Sequence, residues 1–369
     1  MYDYIIVGAG FYGSVFAREV KDAGKSVLVL EKRDHIGGNC FSYDYKNTHI
    51  NIHKYGPHIF HTSNKDVWEY VNRFSPFIQY YHKVFSTFKG RVYSLPINLQ
   101  TINYFYNVNL KPYEVPSFLK DKQSSISKPA NLEEQAISIV GRDLYEAFFK
   151  GYTIKQWDVD PKDLPAKIIT RLPVRFSYND SYYNDIYQGL PVNGYTPLFE
   201  KLLQEIPVKL NTDYFTKRDY WRSNCKVLVY TGPLDRYFEY QFGRLSWRSI
   251  RFEMEDVGYD DYQGAATMNF ADPEVPYTRI VEPKHFYKDR AYPAGKTVII
   301  KEYSCVNDDE PYYPVRLRRD RDNLTKYKLL ARKENNVIFG GRLGDYKYYD
   351  MHHVVRAALK KAQGSLGSI

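Results

Sequence analysis

The feature that most constrains this chain is a glycine-rich turn between a buried strand and a helix. Residues 2–7 (YDYIIV) predict the strand, the turn carries Gly8, Gly10 and Gly13, and the helix is expected to run to about Ala23. In such a turn the first glycine makes the tight bend, the second admits a pyrophosphate close to the backbone, and the third lets the helix pack on the strand. The pattern predicts a dinucleotide site with its phosphates at the helix N-terminus.

An acidic residue stands where this kind of site needs one. Residues 26–30 (SVLVL) predict a second buried strand, and Glu31 ends it, 18 residues after Gly13. A carboxylate at that place accepts a hydrogen bond from a ribose hydroxyl. The strand–helix–strand order predicts a parallel sheet. A purely structural glycine turn is the alternative, and we rank it lower because strand, helix and acid are all in register.

The sequence after Glu31 indicates which dinucleotide is bound. The stretch KRDHIGGN places Gly37 and Gly38 shortly after the acid, and a late strand leads into GGRLG at residues 340–344. These two segments resemble the FAD-binding segments of glutathione-reductase-like flavoproteins. The sequence contains no second GxGxxG. We therefore expect FAD, no dedicated nicotinamide domain, and a reductant that docks transiently.

Composition narrows the class of partner. The chain has 52 basic and 43 acidic residues, a net charge of +9, together with 37 Tyr and 21 Phe. A positive balance suits nucleic acid, an anionic membrane surface or a small phosphorylated substrate. The basic residues are scattered and carry no RRM, KH or OB signature, so a nucleic-acid-binding module ranks last. Three distant cysteines favour a reducing, cytoplasmic setting, and neither a secretory leader nor a membrane span is expected.

The patterning along the chain predicts an α/β fold of three parts: a Rossmann-like FAD-binding domain of the glutathione-reductase-like class, an inserted helical domain and an antiparallel β-sheet domain. Residues 82–94 predict a hairpin around Lys89-Gly90, Asn131 is expected to cap a helix, and Thr196-Pro197 is expected to begin another. The expected boundaries are 1–80, 200–245 and 315–369 for the FAD domain, 98–175 for the helical domain with a mobile substrate loop, and 82–97, 176–199 and 246–314 for the sheet domain.

Two stretches carry further candidates. GPHIFHT (56–62) holds two histidines on an expected loop, and no other ligands at suitable spacing are found, so no metal is expected. They either face a cofactor or are hydrogen-bonded loop histidines. In residues 148–175, Phe148 and Tyr152 are one helical turn apart and precede Trp157 and a proline-flanked Arg171. The rings either stack on a base or belong to the core, and the residue pattern alone favours the core.

The whole set of motifs resembles the bacterial UDP-galactopyranose mutase family. The resemblance extends from the first residues to about position 352. It is carried by VGAGFYGS (7–14), EKRDHIGGN (31–39), YGPHIFHT (55–62), YSLPINLQTI (93–102), GYTIKQW (151–157), ITRLPVR (169–175), YTGPLDRYF (230–238), PYTRIVEPKHF (276–286), YYPV (312–315) and GRLGDYKYYDMH (341–352).

The resemblance implies three groups of site residues. Those at FAD would be Gly8, Gly10, Phe11, Gly13, Glu31, Lys32, Gly38, Asn39, His58, Ile59, Arg342, Tyr348, Asp350 and Met351. Those at the substrate would be His82, Phe148, Tyr152, Trp157, Arg171, Tyr182, Asn269, Arg279, Tyr313 and Tyr348. The catalytic group would be Arg171, Arg279 and His61, with His61 beside the reactive flavin face.

The implied activity is an isomerisation, the interconversion of UDP-galactopyranose and UDP-galactofuranose, which feeds surface polysaccharide such as O-antigen or capsule. FAD would act in its reduced state, with N5 attacking the anomeric carbon and the ring opening through a flavin iminium adduct. The expected partners are both forms of UDP-galactose, an external reductant such as NAD(P)H and a second copy of the chain in a homodimer, without nucleic acid or membrane insertion. An amine-oxidase-like FAD oxidoreductase is the alternative.

Overall fold

A computed structural model describes residues 1–46, 48–123, 126–171, 173–306 and 310–367, without the side chains of Thr170 and Arg171. The strands are β1 (Tyr2–Val7), β2 (Val27–Leu30), β3 (Ser42–Asp44), β4 (Asn51–His53), β5 (Phe60–Thr62), β6 (Phe77–Gln79), β7 (Val84–Phe88), β8 (Arg91–Leu95), β9 (Tyr187–Pro191), β10 (Val208–Lys209), β11 (Cys225–Tyr230), β12 (Trp247–Val257), β13 (Thr267–Phe270), β14 (Arg279–Val281), β15 (Thr297–Cys305), β16 (Tyr313–Pro314) and β17 (Val337–Phe339).

The α-helices are α1 (Phe11–Asp22), α2 (Lys65–Asn72), α3 (Leu99–Tyr106), α4 (Val115–Lys120), α5 (Leu132–Val140), α6 (Arg142–Tyr145), α7 (Gly151–Trp157), α8 (Tyr195–Leu202), α9 (Arg218–Ser223), α10 (Leu234–Tyr237), α11 (Arg318–Ala331), α12 (Gly341–Gly344) and α13 (Met351–Leu366). Glu146–Lys150 forms a π-turn, and short 3₁₀ turns cover Gly38–Cys40, Pro161–Asp163, Ala166–Arg171, Tyr214–Lys217 and Pro283–Phe286. Within the described ranges, no helix is long and apolar enough to cross a membrane.

A five-stranded parallel sheet forms the first layer, in the order β10-β2-β1-β11-β17. Both faces of its central strands are covered, which explains their continuous apolar runs. Tyr4 and Ile6 pack with α1 and α13, whereas Ile5 packs on the opposite face with Trp221 and Tyr237. The predicted βαβ opening is confirmed, and it places the glycine turn at the carboxyl end of β1.

A seven-stranded sheet forms the second layer, in the order β16-β12-β15-β14-β13-β7-β8. The predicted hairpin is confirmed, because Lys89 (φ 49°) and Gly90 (φ 73°) make a two-residue turn between β7 and β8 with both residues in the left-handed region. The sheet was expected to be antiparallel throughout, but β13 pairs with β7 in parallel. A hairpin cannot join parallel neighbours, so the long stretch of chain between β7 and β13 serves as the crossover.

A third, small sheet links the N-terminal part of the chain to β9. β9 pairs with β5 and β6, not with the large sheet to which residues 176–199 were assigned. The expectation that His61 lies on a loop is therefore wrong, because His61 is in β5 opposite Gln188.

The helical region holds a separate core formed by α3 to α7. The Asn131 cap is confirmed, since its Oδ1 accepts a hydrogen bond from the backbone N–H of Glu134 at 2.9 Å. The predicted helix at Thr196-Pro197 is confirmed as α8, but the expectation that Thr196 caps it is wrong. The helix begins at Tyr195 after Gly194 (φ 78°), and the Thr196 hydroxyl donates to the carbonyl of Ser42 at 2.5 Å instead of capping.

Candidate active site

The glycine turn at the end of β1 is built so closely that side chains have no room. A Cβ on Gly13 would lie 1.9 Å from the carbonyl oxygen of Gly8, and one on Gly8 (φ 106°) would lie 2.1 Å from Oγ1 of Thr231. A Cβ on Gly38 would lie 3.0 Å from Cα of Gly10, so two loops meet here backbone to backbone. This is the close approach that the fingerprint requires.

Glu31 fixes this turn with both carboxylate oxygens. It is 6% exposed, its Oε2 accepts from the backbone N–H of Ala9 at 2.8 Å, and its Oε1 accepts from the backbone N–H of Arg33 at 3.0 Å. Arg33 in turn donates from Nη1 to Oδ1 of Asn39 at 2.9 Å and lies over the ring of Tyr55. Glu31, the glycine turn and the segment that follows Gly37 and Gly38 are therefore connected by hydrogen bonds. The contact of Glu31 with a ribose stays a prediction.

A cleft of about 610 Å³ runs along this turn. All predicted cofactor residues line it except Ile59, Tyr348 and Asp350. Ile59 belongs to the core, Tyr348 stacks on Tyr313, and Asp350 precedes α13 with its Oδ2 3.5 Å from Nδ1 of His353.

Sequence reasoning missed one wall of the cleft, which comes from the segments after β10 and β11. The residues concerned are Thr212, Asp213, Tyr214, Phe215, Thr231, Gly232, Pro233, Arg236, Tyr240 and Arg244. Their place in the sequence could have revealed them, because they follow two strands of the parallel sheet and ligands bind at the carboxyl ends of such strands.

The charges along the cleft suit an anion. Lys32, Arg33, Arg236 and Arg342 line it. Burial and the neighbouring Arg33 lower the pKa of Lys32, and Arg342 is oriented by donating from Nη2 to the carbonyl of Tyr349 at 2.6 Å. Arginine and lysine around a backbone cradle are the usual means of holding a pyrophosphate.

His58 lies on the cleft wall as a neutral side chain. Burial lowers its pKa to about 4. Its Nδ1 lies 2.7 Å from the carbonyl of Gly56, which fixes the proton on that nitrogen, and its backbone N–H donates to Nδ1 of His53 at 3.1 Å. The other ring nitrogen, Nε2, is therefore a hydrogen-bond acceptor.

His61 has a different setting from His58. It is 8% exposed, its Nδ1 lies 2.6 Å from Oδ2 of Asp185, and its ring stacks on Tyr183 with centroids 3.7 Å apart. The ring of His352 meets it edge-on at 5.1 Å. Sequence reasoning did not select Tyr183, Asp185 or His352. The pairing of β5 with β9 brings Tyr183 and Asp185 to His61, and the start of α13 brings His352.

Arg279, a predicted substrate residue, is held by contacts from two other elements. It stands in β14 directly opposite Asn269 of β13. Its Nη2 donates to the hydroxyl of Tyr152 at 2.5 Å, and its Nε lies 3.4 Å from Oε2 of the buried Glu302. Burial opposes its charge, but Tyr152 and Glu302 raise the pKa of Arg279 well above its ordinary value. The guanidinium is thus charged and oriented.

Five more predicted substrate residues are His82, Tyr182, Asn269, Tyr313 and Tyr348. His82 is 3% exposed and lies beside Tyr182 and Tyr183, and burial, Arg279 and His61 lower its pKa to about 3. Tyr313 stacks on Tyr348 at 5.5 Å, with the Arg342 guanidinium over both rings. Asn269 is 8% exposed, and its Oδ1 has no hydrogen-bond partner in the part of the chain that the structure describes.

Three predicted substrate residues are not placed at this cluster. Phe148 packs in the helical core against Phe88 and Tyr93, which is the core alternative, and Trp157 is 9% exposed in the same core. Phe148 lies within the π-turn and Tyr152 in α7, and the two rings have different neighbours. Arg171 ends a 3₁₀ turn, and its side chain lies outside the described residues.

Comparison with known proteins decides the family. A family model described as UDP-galactopyranose mutase matches residues 147–348, and one described as an NAD(P)-binding Rossmann-like domain matches residues 6–74. A Klebsiella pneumoniae protein named "Probable UDP-galactopyranose mutase" is 44% identical over 99% of this chain and 95% of its own length. The chain belongs to the UDP-galactopyranose mutase family. An Escherichia coli relative named dTDP-fucopyranose mutase is 41% identical over 97% of both chains.

Solved structures agree with this mutase family at the level of the fold. A crystal structure of reduced UDP-galactopyranose mutase matches with a TM-score of 0.74 at 16% identity, covering 100% of this chain and 94% of the other. A putative protoporphyrinogen oxidase from Exiguobacterium matches with a TM-score of 0.67 at 12% identity, covering 98% of each chain. The shared feature is an α/β architecture with a Rossmann-like domain.

FAD is the cofactor that mutase family membership and the Rossmann-like domain support. The cleft fits FAD. Gly8, Gly10 and Gly38 form a backbone cradle at the N-terminus of α1, and a Cβ on Gly8 or Gly38 would crowd it. At the other end, His58 and Met351 line the same cleft, and Met351 precedes His352, whose ring meets that of His61. The residues present therefore fit a dinucleotide.

Proposed function

We propose that this chain interconverts UDP-galactopyranose and UDP-galactofuranose, with FAD in its reduced state. The observation that carries the proposal is the charged, oriented Arg279 beside Tyr152 and opposite Asn269, whose Oδ1 has no hydrogen-bond partner among the described residues, in a chain that belongs to the mutase family. A fixed guanidinium flanked by phenols suits a diphosphate, and an unpaired buried amide oxygen suits a sugar or ribose hydroxyl.

Bound reduced flavin supplies a nucleophilic nitrogen for the anomeric carbon, and the reaction has no net redox change. The protein's own task is to hold the diphosphate while charge develops on it. Arg279 stabilises that charge from a position set by Tyr152 and Glu302, and Arg171 is proposed to add a second guanidinium from the adjoining loop. The phenols of Tyr182, Tyr313 and Tyr348 are proposed to donate further hydrogen bonds to the phosphate oxygens.

A second candidate substrate is dTDP-fucopyranose. A relative named for that sugar is 41% identical over nearly the whole chain, close to the 44% of the relative named for UDP-galactopyranose. Both reactions rearrange a hexose ring next to a nucleoside diphosphate, so the diphosphate residues serve either. The base and the substituent at C6 of the sugar distinguish the two substrates.

The test is a turnover assay in two flavin states with both furanose substrates. The purified protein is expected to show a flavin absorbance spectrum. With dithionite it should convert UDP-galactofuranose to the pyranose form, and without dithionite it should be inactive. Faster turnover of dTDP-fucofuranose than of UDP-galactofuranose would make the fucose sugar the assigned substrate and leave the proposed mutase reaction unchanged. A flavin-bound protein inert with both sugars in both states would refute the proposal.

We also propose the assignments that complete this function. The FAD domain is of the glutathione-reductase-like class, supported by the meeting of Gly10 with Gly38 and by the second glycine segment at α12. The protein is proposed to act as a cytoplasmic homodimer that receives electrons from an external NAD(P)H-type reductant and provides galactofuranose for surface polysaccharide. Its three cysteines are all free, as suits a reducing compartment.

A further inference from the structure

The pairing of β5 with β9 brings the side chains of His61, Ser63 and Asp185 into contact. Asp185 precedes β9 and reaches across to β5. Its Oδ2 lies 2.6 Å from Nδ1 of His61, and its Oδ1 accepts a hydrogen bond from the Ser63 hydroxyl at 2.8 Å. The Ser63 oxygen also accepts from the backbone N–H of Ile186 at 3.4 Å. Both oxygens of the carboxylate are thus occupied, and its orientation is fixed.

The carboxylate is ionised in this setting. The hydrogen bond with His61 is the largest influence on Asp185 and lowers its pKa, Ser63 lowers it further, and partial burial opposes both. An ionised carboxylate only accepts hydrogen bonds, so the proton must be on Nδ1 of His61. In the neutral ring Nε2 is then an acceptor. The same logic applies to metal-bound and catalytic histidines that are oriented by a carboxylate.

The surroundings of the His61 ring connect this pair to the proposed substrate cluster, by which we mean His61 with His82, Tyr152, Tyr182, Arg279, Tyr313 and Tyr348. The ring stacks on Tyr183 at 3.7 Å with planes 11° apart. Tyr183 lies edge-on to Tyr182 at 5.2 Å, and the positive charge of Arg279 is close enough to act on its phenol. The contacts with Tyr183 and His352 fix the plane of the imidazole. The contact with Asp185 decides which edge of the ring, and therefore which nitrogen, faces the carboxylate.

We infer that Asp185 is a positioning residue, which holds His61 in the Nδ1–H tautomer and flat against Tyr183, so that Nε2 is presented as an acceptor at the reacting end of the site. The inference rests on the proposed function for its effect on turnover. The assignment of the tautomer is independent of the proposed function. The competing explanation is a plain strand-to-strand tie, in which His61 and Asp185 stabilise the small sheet and nothing else.

A double-mutant cycle separates these explanations. Asp185→Asn has nearly the same shape and lacks the charge. We expect it to keep flavin absorbance and lower kcat about 10- to 100-fold, the size seen when a carboxylate behind a functional histidine is removed. In the His61→Gln background, Asp185→Asn should add less than about twofold, because residues that act as one unit are strongly non-additive. Equal losses in both backgrounds would overturn the inference.

A matched control is available outside the site, between the β12–β13 connection and the 3₁₀ turn Pro283–Phe286. Asp261 lies 3.2 Å from Nε2 of His285. Asp261→Asn removes a comparable His–Asp contact and should leave kcat within about twofold of wild type. Ser63→Ala, which removes the support of Asp185 but not Asp185 itself, should lower kcat in the same direction by a few fold. Loss of turnover in Asp261→Asn equal to that in Asp185→Asn would also overturn the inference.

The tautomer is read directly by ¹⁵N NMR of histidine-labelled, FAD-bound protein, at about pH 8.5, where an ordinary imidazole is neutral. His61 is assigned by the signals lost in His61→Gln. Wild type should show a protonated Nδ1 and a bare Nε2, and Asp185→Asn should show exchange between tautomers. An unchanged spectrum in Asp185→Asn refutes the inference. The measurement needs no turnover, so an inactive wild type would defeat the proposed function and leave this result standing.

Discussion

The cofactor cleft and the substrate cluster are built in opposite ways. Along the cleft the contacts come from backbone, since Gly8, Gly10, Gly13 and Gly38 bring two loops together within a short stretch of sequence. The substrate cluster is made of side-chain tips. Its phenols, guanidiniums and imidazoles come from α7, β5, β14, β16 and the segment before β9. The cleft is therefore sensitive to added atoms, and the cluster is sensitive to removed ones.

The sharpest way to test the first half of this comparison is to add one methyl group to the cleft. Gly13→Ala would place Cβ 1.9 Å from the carbonyl of Gly8 and 3.2 Å from Ile6. Backbone cannot yield cheaply there, so we expect loss of FAD binding and a loss of stability of at least about 4 kcal/mol. The measurements are flavin absorbance of the purified protein and urea unfolding.

Gly364→Ala is the matched control for that change. Gly364 is in α13, and a Cβ there would meet nothing within 4 Å. Alanine favours a helix over glycine by roughly 0.5–1 kcal/mol, so stability should rise slightly and FAD should stay bound. Flavin binding of normal strength in Gly13→Ala would contradict the cradle described above.

The second half of the comparison is tested by removing one guanidinium. Arg279→Ala takes away the group held by Tyr152 and Glu302. Loss of one transition-state donor costs on the order of 10²–10³ in kcat. Flavin content should be unchanged, because Arg279 does not line the cleft. Arg279→Lys keeps the charge without the planar fork and should recover only part of the rate. Wild-type turnover in Arg279→Ala would remove it from the mechanism.

The same contrast explains what could be predicted from sequence. The glycine cradle and Glu31 lie near one another in the chain, between residues 8 and 38, and obey local rules, so their spacing revealed them. Arg279 and Tyr152 are 127 positions apart, and a single arginine or tyrosine carries no local signal of its partner. Resemblance to a family supplied those residues. Asp185 and Tyr183 were missed because the pairing of β9 with β5 could not be read from either strand alone.

A third change tests how the cluster is held together across elements. The ammonium of Lys155 in α7 is within hydrogen-bond distance, 2.7 to 3.2 Å, of four carbonyls in the connection from β13 to β14, those of Phe270, Asp272, Val275 and Tyr277. Lys155→Met would leave these acceptors unpaired. We expect a loss of about 2–4 kcal/mol in stability and a higher KM, with flavin binding intact.

Lys162→Met is the control, because Lys162 is exposed. It should change stability by no more than about 0.5 kcal/mol. Urea unfolding and the KM for the furanose substrate check both variants. If Lys155→Met loses flavin but keeps its KM, then α7 and the β13–β14 connection support the cleft, not the cluster, and the division between the two regions is drawn in the wrong place.

The smallest expected effect concerns His285, which belongs to neither region. Burial opposes the charge of His285, but Glu282 at 3.4 Å and Asp261 at 3.2 Å raise its pKa. A group whose folded pKa is raised stabilises the protein fully below its ordinary pKa of about 6.5, and that stability is lost as the pH rises through the folded value. The free energy of unfolding should therefore fall by a fraction of a kcal/mol, on the order of 0.5, between about pH 6 and pH 8. His285→Gln should flatten this slope and leave kcat unchanged at every pH. If His285→Gln instead changed the pH dependence of kcat, the charge of His285 would influence the substrate cluster. The cluster could then no longer be treated as a local assembly of side chains.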